Sequence, residues 1–179
     1  ATKKRLKKSR KDNNIKTKLT YKIYLYYNLY IRHKSYLKRA QYSQWGEDQF
    51  INQFFKDKID GIYLDIGCFH PVMYSNTCLL HRKGWRGINI DINPTSIDLF
   101  NILRPKDINL CTTISETKET FEIYYDDPFS PVNTLDRQFY KNLENKTNKN
   151  TKKLFVESKS MDEILNISKI DKSIDFINL

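Results

Sequence analysis

The sequence contains few glycines and cysteines and no long hydrophobic run. Its 179 residues include 5 Gly and 3 Cys. Cys68, Cys78 and Cys111 are widely spaced and form no Cys-x-x-Cys pair, which argues against a disulfide framework or a zinc site and favours a reducing compartment, the cytoplasm. No run of about 18 apolar residues occurs, so we expect no transmembrane helix. The Gly-x-Gly-x-x-Gly fingerprint is also absent, which argues against a nicotinamide-dependent oxidoreductase.

Positive charge is concentrated at the start of the chain. The net charge is +10, and residues 1–20 carry nine Lys or Arg and one Asp, a net charge of +8. We expect this segment to be a solvated basic arm. Binding of nucleic acid or of anionic lipid through the arm is the alternative, because both partners present phosphate groups.

A tyrosine-rich segment follows at residues 19–40. Its apolar residues recur at helical spacing and predict an amphipathic helix, with these residues near one face: Leu19, Ile23, Tyr26, Tyr30 and Leu37. We expect this face to pack within the protein or against a partner, with contact at a membrane surface as the alternative. Pairing with a second copy fits the same pattern, so the sequence leaves the oligomeric state open. Residues 1–40 are thus predicted to precede a domain that spans residues 41–179.

Strand and helix patterns alternate from residue 41 onward. Strands are predicted at 62–66, 87–92, 108–112, 120–125, 153–158 and 173–179. Helices are predicted after Ser43, over 75–84 with Ser75 as N-cap and Gly84 as stop, after Pro94, and over 160–167 with a Ser-x-x-Glu capping box. The polar, low-complexity stretch 141–153 is predicted to be a loop. This alternation predicts an α/β fold with a parallel sheet.

Two carboxylates close neighbouring predicted strands. Asp65 ends the first strand and Asp91 ends the second, 26 residues later. Ligands of open α/β sheets bind beyond the carboxyl ends of the strands, and an acid after the second strand can accept hydrogen bonds from ribose hydroxyls. Gly67 lets the backbone approach a ligand, and the following helix would offer free N–H groups. The pattern favours a nucleoside-containing cofactor over its alternative, in which Asp65 caps a strand end and Asp91 is a solvated turn acid.

The residues after Gly67 bear on which cofactor would bind. Cys68, Phe69, His70 and Pro71 stand where the dinucleotide fingerprint needs glycines, and Pro71 has no N–H to offer a pyrophosphate. S-adenosylmethionine carries no phosphate and demands less of this turn. The sequence therefore favours S-adenosylmethionine.

Four segments together resemble the FkbM-type S-adenosylmethionine-dependent methyltransferases. They are SQWGED (43–48), YLDIGCFHPVMYSNT (63–77), KGWRGINIDINP (83–94) and SMDEIL…IDFINL (160–179). The resemblance implies a Rossmann-like methyltransferase sheet with helices on both faces, and methyl transfer to a hydroxyl oxygen. By position it assigns Asp65 and Gly67 to the first cofactor motif, Asp91 to the ribose and Asn93 to its neighbourhood near the adenine. Asn76 and Ser75 would lie behind the methionine end, and Ser115 on the adenine side.

The sequence departs from this family's pattern in two places. Pro71 stands where many relatives carry a second glycine, and the His-Pro pair is a variant associated with one branch. The family continues the strand matching IDFINL with an Asp-x-Glu-Gly motif, and the present sequence ends one residue before it. We therefore expect a methyltransferase domain that is incomplete at its C-terminus.

Transfer to a hydroxyl requires a general base, and His70, beside the predicted cofactor turn, is the candidate. A structural hydrogen-bonding role for this turn histidine is the alternative. The resemblance suggests the hydroxyl of a sugar or small metabolite as acceptor. Two other functions stay open: nucleic-acid binding through residues 1–20, and a cofactor-binding module without catalysis. No metal-ligand cluster is evident in the sequence.

Overall fold

The computed structural model describes residues 15–125, 152–171 and 173–179. The first fourteen residues of the basic arm and residues 141–151 of the predicted loop lie outside the described residues. The chain forms two compact units, which we call the N-terminal unit (residues 1–40) and the C-terminal unit (residues 41–179).

The N-terminal unit is helical but changes helix type along its length. Helix α1 spans Ile15–Tyr27 and continues as a π-helical turn, Asn28–Arg32, and a 3-10 turn, Lys34–Tyr36. The helical geometry breaks at His33, with φ −109° and ψ 23°. The prediction of one amphipathic helix over 19–40 is therefore correct in its helical character and wrong in its continuity.

Most of the tyrosine-rich face is exposed among the described residues. Four of its five residues, Leu19, Ile23, Tyr26 and Tyr30, are exposed. The buried side chains of α1 and the turn after it are instead Leu25, Asn28 and Leu29, on the other side of the helix. The apolar residues of this segment thus lie on two sides of the helix, one buried and one exposed.

The C-terminal unit contains a parallel sheet of four strands, which confirms the α/β prediction. The strands are β1 (Ile62–Ile66), β2 (Arg86–Asp91), β3 (Ile108–Cys111) and β7 (Phe176–Asn178), in the order β3-β2-β1-β7. The predicted last strand, 173–179, is present but shorter. In the register of this sheet, Ile66 lies opposite Ile90 and Asp91 lies opposite Cys111. Asp91 therefore projects one position beyond the end of β1.

A second sheet of three strands contains β4 (Thr113–Ile114), β5 (Thr120–Tyr125) and β6 (Lys152–Lys159). Its order is β4-β6-β5, with β4 parallel to β6 and β5 antiparallel to β6. The two strands predicted at 120–125 and 153–158 are thus correct in position, but they do not join the parallel sheet. Thr112 separates β3 from β4, so the chain passes from one sheet to the other at that residue.

Four helices complete the C-terminal unit within the described ranges. They are α2 (Glu47–Phe54), α3 (Cys78–Arg82), α4 (Pro94–Leu103) and α5 (Met161–Ser168). The predicted Pro94 start and the Ser160–Glu163 capping box of α5 are present. Helix α2 begins later than Ser43, because the Ser43 hydroxyl donates to Asp48 (2.6 Å) and Gly46 occupies the N-cap position.

The two faces of the parallel sheet have different cores. Leu64, Ile88 and Ile90 point to one side, where they pack with Ile164 of α5. Tyr63 points to the other side and packs with Leu80 of α3 and with Trp85. Tyr63 lies directly opposite Gly87, and a Cβ at Gly87 would come within 2.3 Å of the Tyr63 ring. Only glycine at this position leaves room for the ring across β2.

Candidate functional site

A cavity of about 270 Å³ lies at the carboxyl ends of β1, β2 and β3. Three of the predicted site residues line it: Gly67, Asp91 and Asn93. The rest of the wall is largely apolar, formed by Ile66, Phe69, Ile90, Ile92 and Ile114, with Thr112 and Thr113 as additional polar groups. Small-molecule pockets usually measure roughly 300–1,000 Å³, so this cavity has room for one part of a cofactor, such as a nucleoside.

Asp91 is the acid of this wall and is held by two backbone groups. Its Oδ2 accepts a hydrogen bond from the N–H of Phe69 (2.8 Å), and its Oδ1 accepts one from the N–H of Asn93 (2.6 Å). Each carboxylate oxygen has two lone pairs, so both retain capacity to accept a ligand hydroxyl. Asp91 is 8% exposed, and the alternative of a solvated turn acid is therefore wrong.

Burial also changes the acidity of Asp91. It raises the pKa of this carboxyl to about 6, although the hydrogen bonds from Asn93 and Phe69 act in the opposite direction. At neutral pH Asp91 is therefore ionised, which is the state that accepts hydrogen bonds most strongly.

Asn93 lies beside Asp91 and starts the next helix. Its side chain accepts a hydrogen bond from the N–H of Thr95 (3.0 Å), which makes it the N-cap of α4. Because its own N–H is bound to Asp91, the end of β2 and the start of α4 form one rigid corner in the cavity wall. The family resemblance implies a place near the adenine for Asn93, and its capping role was not predicted.

Three N–H groups of the turn after β1 donate hydrogen bonds to residues of β2. The N–H groups of Gly67 and Cys68 both donate to the carbonyl of Ile90 (2.8 and 3.1 Å), and that of Phe69 donates to Asp91. These three N–H groups are therefore not free for a ligand, and the helix expected directly after this turn does not follow it. Helix α3 begins only at Cys78 and has five residues.

Two aromatic residues of the loop between β1 and α3 have an unusual backbone conformation. Phe69 and Tyr74 have φ values of 49° and 57°, in the left-handed region that side chains rarely adopt. Their rings stack with centroids 6.4 Å apart. Conformations of this kind cost energy and concentrate at functional sites. Phe69 is one of the residues that line the cavity.

His70 occupies a structural position in the same loop. It is 1% exposed, and its Nδ1 accepts hydrogen bonds from the N–H groups of Val72 (3.2 Å) and Met73 (3.1 Å). A neutral imidazole that accepts at Nδ1 carries its proton on Nε2, and so donates there. This geometry argues against His70 as the general base and favours the structural alternative.

Asp65 is 1% exposed and is not among the residues that line the cavity. Its Oδ2 accepts from the Thr77 hydroxyl (2.6 Å) and its Oδ1 from the amide of Asn178 in β7 (2.8 Å). Asn76 in turn donates to the side-chain oxygen of Asn178 (2.8 Å). The two predicted cofactor residues Asp65 and Asn76 thus tie the loop to the end of β7. Burial raises the pKa of Asp65.

A buried arginine, Arg104, joins the loop to the sheet. It is 1% exposed, and its guanidinium donates to the Pro71 carbonyl (2.7 Å) and the Ser75 hydroxyl (3.0 Å). Ser75 was predicted to cap a helix over 75–84, but its hydroxyl is engaged here and the N-cap position belongs to Thr77. The same guanidinium donates to Thr77 (2.9 Å), whose hydroxyl donates to Asp65.

The other side of Arg104 leads to a second buried carboxylate. The guanidinium donates to the Tyr63 hydroxyl (3.0 Å), which donates to Asp107 (2.5 Å). Burial acts to raise the pKa of Asp107, but the His81 imidazole, 3.4 Å away, and the Tyr63 hydroxyl hold it below its usual value. Arg104 therefore connects two buried acids through two hydroxyl groups.

Ser115 and three residues of the cavity wall differ in position from what the sequence indicated. Ser115 lies outside the cavity wall, and its N–H donates to the carbonyl of Lys159 in β6 (3.1 Å). Phe69, Thr112 and Thr113 line the cavity and were not singled out. The rule that ligands bind beyond the strand ends could have identified both threonines, since they follow β3 directly.

The charges of the cavity restrict the ligand. Among the described residues that line it, Asp91 is negative and none is positive. A phosphate there would meet a carboxylate with no cation to offset it, and the loop N–H groups named above are already used. The site therefore suits an uncharged or cationic ligand with hydroxyl groups to donate, and it does not suit a dinucleotide.

The described residues give no sign of a metal or of a membrane-spanning segment. No group of three or more His, Cys, Asp or Glu side chains among them could hold a metal ion. Nor does any helix in the described ranges combine the length and hydropathy needed to cross a bilayer.

A scan against protein-family models, a search of curated proteins and a search of solved structures each found no match for this chain.

Proposed function

We propose that this chain is an S-adenosylmethionine-dependent methyltransferase of the FkbM type, with a Rossmann-like sheet, that methylates a hydroxyl of a sugar or small metabolite. The observation that carries the proposal is the placement of Asp91 in the wall of an apolar cavity at the end of β2. An acid at this position is suited to accept hydrogen bonds from the two ribose hydroxyls. The four sequence segments described above agree with it.

The residues that line the cavity fit the nucleoside end of S-adenosylmethionine. The Phe69 ring and the isoleucines of the wall offer apolar contact to a purine, and Asp91 and Asn93 offer polar groups. The lack of a cation among the described lining residues agrees with a cofactor that has a positive sulfonium and no phosphate. Because Asp65 and Asn76 are engaged with Asn178, we assign them to positioning of the loop and not to the methionine end.

When bound, S-adenosylmethionine supplies an electrophilic methyl group to a nucleophile. The contribution of this chain is to bind, orient and exclude water. Gly67 and Phe69 are fixed by Ile90 and Asp91, so the turn facing the cofactor is ordered before binding. We assign no general base within the described residues, since His70 is 1% exposed and its Nδ1 accepts two backbone hydrogen bonds.

Calorimetric titration with S-adenosylmethionine and S-adenosylhomocysteine tests the proposal. We expect binding to the wild-type chain and a loss of about 10- to 100-fold in affinity for Asp91→Asn, because hydrogen bonds to a charged group contribute roughly 1.5–3 kcal/mol. Asp57→Asn, which removes an exposed carboxylate of the same unit, is the matched control and should bind normally. ATP and NADH should not bind, since the described lining residues offer no cation and the N–H groups of the turn after β1 are already used.

Two results would contradict the proposal. One is the absence of binding by a wild-type chain whose fold is verified by circular dichroism. The other is equal affinity of the wild-type and Asp91→Asn chains, which would place any bound cofactor away from the cavity.

A further inference from the structure

The N-terminal unit carries a row of exposed apolar side chains that we call the tyrosine stripe: Leu19, Ile23, Tyr26, Tyr27 and Tyr30. Their exposed fractions are between 44% and 60%. The positions follow the i, i+4, i+7, i+8, i+11 spacing that brings residues to one side of a helix. The rings of Tyr26 and Tyr30 stack with centroids 5.8 Å apart, which shows the stripe continuing from α1 into the π-helical turn.

The stripe is not the packing face of its own helix. Leu25 and Leu29, at 4% and 0% exposure, occupy the opposite side. Ile31, 60% exposed, lies next to the end of the stripe. A contiguous set of exposed apolar side chains on a helix marks an interaction surface.

The N-terminal unit, which carries the stripe, is rich in positive charge. Residues 15–40 contain seven Lys or Arg and no Asp or Glu, and residues 1–14 add a net charge of +6. The N-terminal unit thus carries +13, while the total of +10 leaves −3 for the C-terminal unit. Six of the basic side chains are exposed: Lys18, Lys22, Arg32, Lys34, Lys38 and Arg39.

We propose that the tyrosine stripe binds the surface of a membrane that contains anionic lipids. The apolar side chains enter the boundary between headgroups and acyl chains, and the tyrosine hydroxyls remain at the level of the headgroups. The surrounding Lys and Arg side chains contact lipid phosphates and carboxylates. The apolar and the electrostatic contributions act together, which is what reversible surface binding requires.

Charge decides against the other occupants of this surface. A second copy would bring a unit of +13 against another of +13, and like charges repel at such an interface. A nucleic acid would contact the Lys and Arg side chains through its phosphates and stack its bases on the tyrosines. It would leave the aliphatic side chains of Leu19, Ile23 and Ile31 without an apolar contact. A lipid surface uses both the charge and the aliphatic side chains.

Vesicle co-sedimentation of the full chain tests the proposal. Vesicles of phosphatidylcholine with about 30% phosphatidylserine should bind the chain at least about tenfold more tightly than phosphatidylcholine alone. Raising the salt concentration should weaken the binding, because exposed charges are screened. The triple variant Leu19→Gln, Ile23→Gln, Tyr30→Gln should lose at least about tenfold in affinity with its basic residues intact.

The matched control replaces three exposed apolar residues of the C-terminal unit. Trp45, Phe50 and Ile59 are 69–82% exposed, and their triple Gln variant should bind vesicles as the wild type does. Circular dichroism verifies that both variants retain their helices. Equal losses in both triple variants would overturn the proposal, because nonspecific hydrophobicity would then explain the binding.

Two further results would also overturn it. One is unchanged vesicle binding by the stripe variant, which would assign the effect to the basic residues alone. The other is no binding to the anionic vesicles; binding of an RNA oligonucleotide, or a dimer that the stripe variant dissociates, would then identify the occupant of the stripe.

Discussion

Replacement of Arg104 by methionine tests how the loop around the candidate site is held. The guanidinium makes five hydrogen bonds, to Tyr63, Thr77, Asn89, Pro71 and Ser75, at 2.7–3.4 Å. Methionine fills a similar volume and supplies none of them. It also leaves two buried acids without the cation between them.

The size of the effect follows from this arrangement. Removal of one partner from a buried charged network costs roughly 3–5 kcal/mol. The free energy of unfolding of a domain of this size is about 5–15 kcal/mol. Arg104→Met should therefore remove a large share of the stability of the C-terminal unit. The free energy of unfolding falls by about 2 kcal/mol for each molar increase in urea, so the midpoint urea concentration of unfolding should fall by about 2 M.

Urea unfolding followed by tryptophan fluorescence measures this loss, since Trp85 is fully buried beside Tyr63. Lys106→Met is the matched control. Lys106 lies two residues after Arg104 and is exposed, so this substitution removes the same charge from the surface. Its effect should stay within about 0.5 kcal/mol. A loss of less than about 1 kcal/mol for Arg104→Met would refute the reasoning, because the network would then contribute no more than a surface contact.

Two other predictions concern the cavity wall. Gly67 has φ +74°, and Gly67→Ala should lower the free energy of unfolding by about 1–2 kcal/mol although nothing within 4 Å would meet the new Cβ. A change below about 0.3 kcal/mol in urea titrations would show that the turn is not strained. The pKa of Asp91 rises from 3.8 to about 6 on folding, so its contribution to stability is present at low pH and is lost as the pH rises through 6. Relative to Asp91→Asn, wild type should lose up to about 3 kcal/mol between about pH 4 and 7 in urea titrations, and a constant difference would contradict the burial argument.

The parallel sheet could be predicted because its strands are short, apolar and bounded by clear stop signals. Ile62–Ile66 ends at Gly67, and Pro94 and the Ser160–Glu163 capping box mark two helix starts. The antiparallel pairing of β5 with β6 could not be predicted, since strand direction depends on tertiary contacts that no local pattern encodes.

The candidate site was predictable only where position in the sheet decides the role. Asp91 follows from its place at the end of β2, whereas Asp65 has a similar sequence context and lies opposite Asn89, two positions before the level of Asp91. The register between strands sets that difference, and it is not visible in one sequence. Arg104 gave no local signal either, because an arginine after a helix usually lies at the surface.

The most direct test of the central claim is to locate the bound cofactor on the chain by amide chemical-shift mapping with S-adenosylhomocysteine. We expect shifts concentrated at five residues that line the cavity: Gly67, Phe69, Asp91, Asn93 and Thr113. Asp57, exposed and outside that wall, should not shift. Saturable shifts centred on another part of the chain, or none at cofactor concentrations well above the protein concentration, would contradict the assignment of the cavity to S-adenosylmethionine.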